Sequence, residues 1–252
     1  MQIDGVVAAV FGGASGLGEE SARRLAAGGA RVLVADLDEG RAAAVAAEIG
    51  GAHVACDVAD AGSVEDAVAA AGELGPLRIA VDCAGIATPT KLVRKGRPTP
   101  LEDFAKVLAV NLLGTINVLR CSAAAMAATE PAADGDRGVC VLTASIAAYE
   151  GQVGQVAYAA SKAGVAGLTL PVARELADKA VRVVAIAPGL FDTPLLAGLP
   201  APAREALAGS VPYPARLGDP AEYAALVEHI ALNTMINGET IRLDGALRMG
   251  PG

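Results

Sequence analysis

Seven short apolar segments alternate along this chain with longer segments rich in Ala, Glu and Arg, and this alternation constrains the fold more than any other feature. Strands separated by helices pair in parallel, because the chain must cross over the sheet before each new strand. The first six segments are apolar throughout instead of alternating, as in strands that helices cover on both faces. The predicted strands span residues 6–10, 31–36, 52–56, 78–83, 138–143, 181–187 and 240–243. The sequence therefore predicts an α/β fold with a doubly wound parallel sheet of about seven strands and helices on both faces.

The chain is expected to form a single domain over residues 1–252, since no linker-like segment separates the predicted helices. The two longest helices are predicted over residues 101–128 and 155–178. Two further segments, residues 88–100 and 189–218, follow strands and look like loops. Ligands of an open α/β sheet bind beyond the carboxyl ends of its strands. These two segments are therefore predicted to be substrate loops.

The charge balance is acidic, with a formal net charge of −8 at pH 7. Nucleic acids and anionic membranes both require a basic surface, so neither is an expected partner. No uninterrupted apolar stretch of about 18 residues occurs, and the first residues lack the pattern of a signal or transit segment. We expect a cytoplasmic protein that binds a small-molecule substrate.

Cysteine and histidine are too few and too dispersed to predict a metal site. The two histidines, His53 and His229, have no partner nearby in sequence, and no C-x-x-C spacing occurs. Unpaired cysteines are most often small buried hydrophobic residues. We predict that role for Cys56, Cys83, Cys121 and Cys140.

A glycine-rich turn follows the first predicted strand and precedes a predicted helix. Missing Cβ atoms let a backbone approach a pyrophosphate, and a helix N-terminus offers it N–H groups and a positive dipole end. A simple tight turn is the alternative, because the chain contains 30 glycines. The position between strand and helix favours a dinucleotide-binding Rossmann fold. The predicted contacts are Gly12, Ser15, Gly16, Leu17 and Gly18.

Carboxylates end the second and third predicted strands. Asp36 lies about 20 residues after the glycines, where a carboxylate accepts hydrogen bonds from the adenosine ribose and repels a 2′-phosphate. This position favours NAD over NADP as the cofactor. Asp57 and Val58 are predicted to meet the adenine ring. Capping of the following helices is the alternative for both carboxylates.

Tyr158 and Lys162 lie four residues apart in a predicted helix and therefore on one face of it. A nearby ammonium group stabilises a phenolate, so Tyr158 would take the proton of an alcohol while hydride leaves for a nicotinamide ring. Ser145 follows the preceding predicted strand and would orient the substrate oxygen. An exposed helical pair is the alternative for Tyr158 and Lys162 alone. Their combination with Ser145 and the glycine turn favours a nicotinamide-dependent site.

Together these motifs resemble those of the short-chain dehydrogenase/reductase family over essentially the whole chain. The resemblance implies an enzyme in which Tyr158 is the acid/base and Ser145 polarises the substrate oxygen. It also implies that Lys162 holds the nicotinamide ribose and that Asn111 supports a water-mediated proton relay with Lys162. A homotetramer is implied as well. Further implied cofactor contacts are Cys83, Ala84, Gly85, Tyr158, Lys162, Pro188, Phe191 and Thr193.

Two positions depart from the family pattern. Phe11 stands where a threonine usually precedes the glycines, and Asp82 stands where an asparagine usually precedes Cys83. Both departures put in doubt the hydrogen bonds that tie the glycine turn to the fourth strand. They leave the residues of proton transfer in place.

Several segments are similar to those of the NAD-dependent 3-hydroxyacyl-CoA dehydrogenases of this family, which implies an acyl-CoA substrate. One independent feature agrees, because a basic cluster of Lys91, Arg94, Lys95 and Arg97 would bind the CoA phosphates. Leu190, Phe191, Leu195 and Leu196 would then cover the acyl group. The similar segments are residues 12–18, 95–98, 187–196 and 243–249.

Three alternatives stay open at this point. The basic cluster is also interpretable as a solvated surface loop. A hydroxysteroid or another apolar alcohol is an alternative substrate, with residues 189–218 as its lid. A scaffold that binds nucleotide without catalysis is the alternative of another class, although such a protein has no need of Ser145, Tyr158, Lys162 and Asn111 together.

Overall fold

The computed structural model of the protein describes residues 1–197 and 200–251, apart from the side chains of Leu195 and Ala197. Its centre is a parallel sheet of seven strands in the order β3-β2-β1-β4-β7-β8-β9. This confirms the predicted single-domain α/β Rossmann fold. The sheet strands are β1 (Val7–Phe11), β2 (Arg31–Asp36), β3 (Ala52–Ala55), β4 (Leu77–Asp82), β7 (Gly138–Thr143), β8 (Val181–Pro188) and β9 (Thr240–Leu243). A separate hairpin pairs β5 (Val93–Arg94) with β6 (Arg97–Pro98).

Helices cover both faces of the sheet, and each face has its own hydrophobic core. One core lies between the sheet and α1, α2 and α9, and the other between the sheet and α3, α5 and α6. Both are mainly aliphatic, in keeping with the 3% aromatic content, with Phe11 in one core and Phe191 and Tyr223 in the other. The helices are α1 (Gly16–Ala27), α2 (Glu39–Ile49), α3 (Ala61–Leu74), α4 (Leu101–Leu108), α5 (Thr115–Ala127), α6 (Val156–Glu175), α7 (Pro194–Ala197), α8 (Ala201–Gly209) and α9 (Pro220–Leu232).

The third strand differs from its prediction as a strand buried on both faces. Residues in β3 alternate between half-buried and exposed, because β3 is at the edge of the sheet and pairs only with β2. By contrast, every residue of β1, β4, β7 and β8 is buried. The pattern of a fully covered strand is therefore right for the four central strands and wrong for β3.

The long helix predicted over residues 101–128 is interrupted by a π-helical turn, Ala109–Gly114, between α4 and α5. Such turns add a residue to a helix and recur at functional sites. Close packing accompanies this one, because a Cβ on Gly114 would lie 2.7 Å from Val58 Cγ2. Asn111, in the same turn, bonds to the backbone of Ile86. These contacts are made by residues distant in sequence, so helical periodicity alone did not predict the interruption.

The two predicted loops both contain regular structure. Residues 88–100 include the β5–β6 hairpin, whose turn residues Lys95 and Gly96 have φ values of 50° and 73°. Residues 189–218 include α7 and α8, and a proline precedes or starts each of these helices. Gly198 and Leu199 lie outside the described residues. The prediction of loops was therefore wrong in detail for both segments.

Two helical stretches, Leu101–Ala127 and Val156–Glu175, are long and apolar enough to cross a membrane by length and composition alone. Core helices meet the same criterion. Both stretches contribute buried residues to the core against one face of the sheet, for example Met126 from α5 and Val165 from α6. The apolar side chains of these two stretches therefore pack against the sheet.

Candidate active site

The glycine turn between β1 and α1 depends on missing Cβ atoms. Gly12 and Gly16 have φ values of 70° and 53°, in the left-handed region that favours glycine. A Cβ on Gly12 would lie 2.6 Å from the backbone nitrogen of Ala84, and one on Gly18 would lie 2.1 Å from the carbonyl oxygen of Gly12. These contacts bring the turn, α1 and the end of β4 together more closely than any other residue type permits.

A cavity of about 810 Å³ lies beside this turn. Ser15 is the N-cap residue of α1, but its side chain accepts no hydrogen bond from the helix. The first N–H groups of α1 are therefore not capped by Ser15. A helix N-terminus in a cradle of glycines suits a pyrophosphate. Twelve of the predicted cofactor contacts line this cavity: Gly12, Ser15, Gly16, Leu17, Gly18, Asp36, Asp57, Val58, Cys83, Ala84, Gly85 and Thr193.

The side chains that cap α2 and α3 are not those of Asp36 and Asp57. Asp38 caps α2 by accepting a hydrogen bond from the Arg41 N–H, and Asp60 caps α3. Asp36 instead accepts hydrogen bonds from the N–H groups of Ala14 and Asp38, at 3.0 Å each. It therefore ties the glycine turn to the end of β2 while lining the cavity.

A second cavity, of about 400 Å³, adjoins the first and contains the predicted catalytic side chains. Leu17, Cys83, Gly85, Ile86 and Thr193 line both cavities. Ser145, Tyr158 and Lys162 line the second, together with Pro188 and Phe191. The fold thus brings residues from α6 to the edge of the sheet at which β4, β7 and β8 end.

Lys162 is held in a fixed position at this site. Its side chain is 4% exposed, and Nζ donates a hydrogen bond to the carbonyl oxygen of Thr143 at 2.7 Å. Nζ also lies 5.9 Å from the centre of the Tyr158 ring. A buried ammonium group is therefore positioned beside the phenol, which is half-buried at the cavity wall.

Ser145 is positioned by the turn that follows β7. Its hydroxyl oxygen accepts a hydrogen bond from the Ala147 N–H at 3.1 Å, which caps a single 3-10 turn, Ile146–Ala148. The hydroxyl proton is left available for an acceptor in the cavity. This arrangement suits a group that donates to a substrate oxygen.

Asn111 does not line either cavity, in contrast to the other predicted catalytic residues. It is fully buried, and its carboxamide accepts from the Ile86 N–H at 2.8 Å and donates to the Ile86 carbonyl at 2.9 Å. A third hydrogen bond runs from Nδ2 to Ser161 Oγ at 3.2 Å. The side chain therefore fixes the loop after β4 to the π-helical turn and α6.

The two departures from the family pattern leave the first and fourth strands joined. The Cys83 N–H donates to the Phe11 carbonyl at 2.8 Å. Asp82 Oδ1 accepts from the Ala84 N–H at 3.2 Å. The turn itself is held by the N–H groups of Gly12 and Gly13, which both donate to the Ala35 carbonyl of β2.

The thiols near the site are unsuited to nucleophilic or redox chemistry. Burial raises the pKa of both Cys56 and Cys83 to about 11 and that of Cys140 to about 12, so these thiols stay protonated near neutral pH. Cys56 and Cys140 are buried as predicted, while Cys83 and Cys121 are half-buried. No group of three or more His, Cys, Asp or Glu residues that could hold a metal ion occurs within the described part of the chain.

The segment that leads into the β5–β6 hairpin contacts both the second cavity and the loop before α6. The Thr90 N–H donates to the Gly154 carbonyl at 2.7 Å, and Pro89 lines the cavity. All four cations of the predicted basic cluster are exposed. Among the residues that the structure describes, they take part in none of the ion pairs.

Of the residues predicted to cover an acyl group, Leu190, Phe191 and Leu196 line the second cavity. The side chain of Leu195 lies outside the described residues. Sequence reasoning missed Gln155 and Met249, which also line the cavity. Met249 comes from the C-terminal segment, about 90 residues after Tyr158 in sequence, so no local pattern connects the two.

The strand order, the glycine turn and the paired cavities define an α/β protein of the dinucleotide-binding type, with a Ser/Tyr/Lys cluster in the second cavity. The sequence profile of the short chain dehydrogenase family matches residues 6–203. The chain belongs to this family.

Individual relatives are similar over nearly the full length. The chain is 51% identical to the human 3-hydroxyacyl-CoA dehydrogenase type-2, over 99% of this chain and 97% of the relative. It is 50% identical to the protein of the same name from Drosophila melanogaster, over 99% and 100%. A crystal structure of 3-hydroxyacyl-CoA dehydrogenase type-2 from Mycobacterium avium superimposes with a TM-score of 0.95 at 45% identity, covering 98% of each chain.

Proposed function

We propose that this protein is an NAD-dependent dehydrogenase that interconverts 3-hydroxyacyl-CoA and 3-oxoacyl-CoA. The observation that carries the proposal is the convergence of Ser145, Tyr158 and Lys162 on a cavity that adjoins the glycine-lined cavity. The names of the relatives support the substrate class, because proteins 50–51% identical to this chain are 3-hydroxyacyl-CoA dehydrogenases.

The chemistry assigned to each side chain follows from its position. Tyr158 takes the proton of the substrate hydroxyl as the carbonyl forms, and returns it in the reverse direction. Ser145 donates a hydrogen bond to the substrate oxygen. The ammonium group of Lys162 stabilises negative charge on the phenol oxygen and holds the nicotinamide ribose. Asn111 acts indirectly, because it fixes the backbone around Ile86 and supports a water-mediated proton relay to Lys162.

The first cavity fits a dinucleotide, since the glycine turn leaves space where side chains would stand, and the N–H groups from Gly16 onward belong to the N-terminus of α1. Bound NAD would supply the hydride acceptor. Asp36 would accept hydrogen bonds from the adenosine ribose, and Asp57 and Val58 would bind the adenine. The carboxylate of Asp36 disfavours a 2′-phosphate, which is why we propose NAD instead of NADP.

Replacing Asp36 with alanine is expected to weaken NAD binding about tenfold, because a charge-assisted hydrogen bond contributes about 1.5 kcal/mol or more. The preference for NAD over NADP should fall at the same time, since the repulsion of the 2′-phosphate is lost. Titration with each nucleotide measures both effects. Asp38→Ala is the control, because Asp38 caps α2, and it should leave the ratio of the two affinities unchanged. An equal loss of affinity for both nucleotides in Asp36→Ala would indicate damage to the glycine turn instead.

The basic cluster on the hairpin supports CoA as the carrier of the acyl group. Four exposed cations stand on an otherwise acidic chain, and Thr90, just before the hairpin, is hydrogen-bonded to the loop before α6. We propose that this cluster binds the CoA phosphates at the entrance of the second cavity. Leu190, Phe191 and Leu196 then contact the acyl group.

Substituting all four cations of the cluster by glutamine is expected to raise KM for 3-hydroxybutyryl-CoA about tenfold or more at low ionic strength, and less at high salt. The matched control is the pantetheine thioester of the same acid, which lacks the nucleotide phosphates of CoA. Its kcat/KM should be unaffected by the substitutions. Equal KM values for the CoA ester in the two proteins would assign the cluster to the solvated surface.

The substrate class is tested by supplying NAD with 3-hydroxybutyryl-CoA, its 2-methyl analogue or a 17β-hydroxysteroid. The absorbance of the reduced nicotinamide measures turnover of each compound. Turnover of the CoA esters supports the proposal. Turnover of the steroid alone would support the proposed active site but would assign it a hydroxysteroid as substrate in place of an acyl-CoA. Nucleotide binding without turnover of these compounds or of a broad alcohol panel would favour a non-catalytic scaffold.

We also propose that the chain assembles as a homotetramer, as the family resemblance implies. Apolar side chains that would gain from burial are exposed on adjoining helical segments. These are Leu113 and Ile116 of the π-helical turn and α5, and Val156 and Leu170 of α6, which are 41–60% exposed.

A further inference from the structure

Asp82 is a buried carboxyl group that the function proposed above does not use. It is the last residue of β4, is 2% exposed, and lies between Phe11 of β1 and Leu142 of β7 in the sheet register. Within residues 1–197 and 200–251, Asp82 takes part in none of the ion pairs. An ionised carboxylate at such a position would be unusual, because buried charges are normally paired.

The contacts of Asp82 place one hydroxyl group between two acceptors. Thr115 Oγ1 lies 2.6 Å from Asp82 Oδ2 and 2.9 Å from the carbonyl oxygen of Asn111. Thr115 is 1% exposed. A threonine hydroxyl has a single proton to donate. If Asp82 were ionised, that proton would serve only one of the two oxygens well.

We infer that Asp82 is present as the neutral carboxylic acid, that it donates to Thr115, and that Thr115 in turn donates to the carbonyl oxygen of Asn111. Each of the two contacts then has one donor and one acceptor. Oδ1 still accepts from the Ala84 N–H. Asp82 is accordingly a positioning residue, since it orients Thr115 and through it the π-helical turn that contains Asn111.

The surroundings of Asp82 favour the neutral form. Burial raises the pKa of Asp82 and outweighs the opposing effects of Thr115, Lys162 and the Ala84 N–H. The titratable groups around it are Cys83, Cys56 before α3, Tyr223 of α9 and Lys162 of α6. Burial also raises the pKa of both thiols to about 11 and that of Tyr223 well above its usual value, so these groups are neutral.

Lys162 is therefore the one charged group among these neighbours, and its ammonium donates to the Thr143 carbonyl. With Asp82 neutral, no negative charge on this carboxyl group offsets the positive charge of Lys162. The full charge is then available toward Tyr158 and the cavity. This consequence rests on the proposed function, whereas the protonation state of Asp82 does not.

The protonation state is measured by infrared spectroscopy of the full chain at neutral pH. The wild type should show the C=O stretch of a carboxylic acid, which is separate from the carboxylate bands, and Asp82→Asn should remove it. Asp103→Asn, at an exposed carboxylate of α4, is the control and should leave the band in place. Thr115→Val should move the band to higher frequency, because the acid loses its acceptor. Absence of the band in the wild type, or no movement in Thr115→Val, would overturn the inference.

Unfolding equilibria provide a second test. A carboxyl group with a raised pKa in the folded state retains a proton that the unfolded chain has released above its ordinary value of 3.8. The stability that Asp82 contributes is thus complete at low pH and is lost as the pH rises toward the folded-state value. The ratio of unfolding constants, wild type over Asp82→Asn, should rise about tenfold per pH unit in this window.

A ratio that stays constant with pH would show that Asp82 is ionised in the folded protein. Failure of Asp82→Asn to fold would also contradict the inference, because the carboxamide reproduces every hydrogen bond of the neutral acid. Neither readout requires turnover, so loss of the proposed substrate class would leave this result standing.

Discussion

Substitution of Tyr158 by phenylalanine is expected to lower kcat for oxidation of a 3-hydroxyacyl-CoA by roughly 10²- to 10⁴-fold, the usual contribution of a general acid/base. The phenylalanine ring keeps the packing of the cavity wall and removes only the hydroxyl group. Tyr158 is one implied cofactor contact among many, and twelve others line the glycine-lined cavity, so NAD affinity should fall much less than kcat. Steady-state kinetics together with nucleotide titration separate these effects.

Tyr149→Phe is a matched control for this experiment. Tyr149 is 50% exposed, and its ring lies 5.0 Å from the guanidinium carbon of Arg242, outside the residues that line the two cavities. Loss of its hydroxyl should leave kcat within about twofold of the wild type, as for an ordinary surface substitution. If Tyr158→Phe retained more than about a tenth of the wild-type kcat, another group would have to act as the acid/base.

Arg182→Met is expected to lower the free energy of unfolding by roughly 3–5 kcal/mol, the effect of breaking a buried ion pair on one side. Arg182 is 6% exposed on β8, and its Nε donates to Asp136 Oδ2 at 3.1 Å. Its other nitrogens donate to backbone carbonyls at and just beyond the end of α9. These belong to Ile230, Ala231, Asn233 and Ile236.

The size of this effect comes from the groups that would be left without partners. Helix C-termini carry carbonyl groups that have no partner within the helix, and Arg182 binds those of α9 from the sheet side. Methionine fills similar volume but donates no hydrogen bond. Asp136 would then remain buried and charged beside unpaired carbonyls.

Chemical denaturation measures the change, with Lys179→Met as the control. Lys179 pairs with Asp178 at 2.8 Å, but the two side chains are 53% and 69% exposed. Water screens an exposed pair of this kind, so its loss should change the stability little. A loss of about 1 kcal/mol or less in Arg182→Met would show that water replaces the guanidinium at the end of α9.

Much of the fold was predictable because its signals are local. Strands such as residues 138–143 and 240–243 have the bounds predicted from their apolar runs. The ends of α2 are also set by local signals, since Asp38 caps its start and Gly50, with a φ of 66°, ends it. Alternation of strands and helices then allows few topologies, because crossover connections in a parallel sheet follow one hand.

The candidate site was predictable to the extent that its residues occur in recognisable order along the chain. The glycine turn, Ser145 and the Tyr158/Lys162 pair each follow a strand, and parallel strands end at one edge of the sheet. Their arrangement around two adjoining cavities is what the structure adds. The hairpin of residues 93–98 and the helices within residues 189–218 were missed, because their signals were interpreted as loop composition alone.

The sequence by itself determined the strand and helix pattern, the glycine turn and the order of the chemical groups, since each depends on residues only a few positions apart. Tertiary structure alone decided which distant groups meet. Asp82 contacts Thr115 33 residues later, Asn111 holds Ile86 across 25 residues, and Met249 reaches the cavity of Tyr158. The physical reason is that such contacts depend on sheet register and helix packing, which burial of the whole core selects and no local propensity encodes.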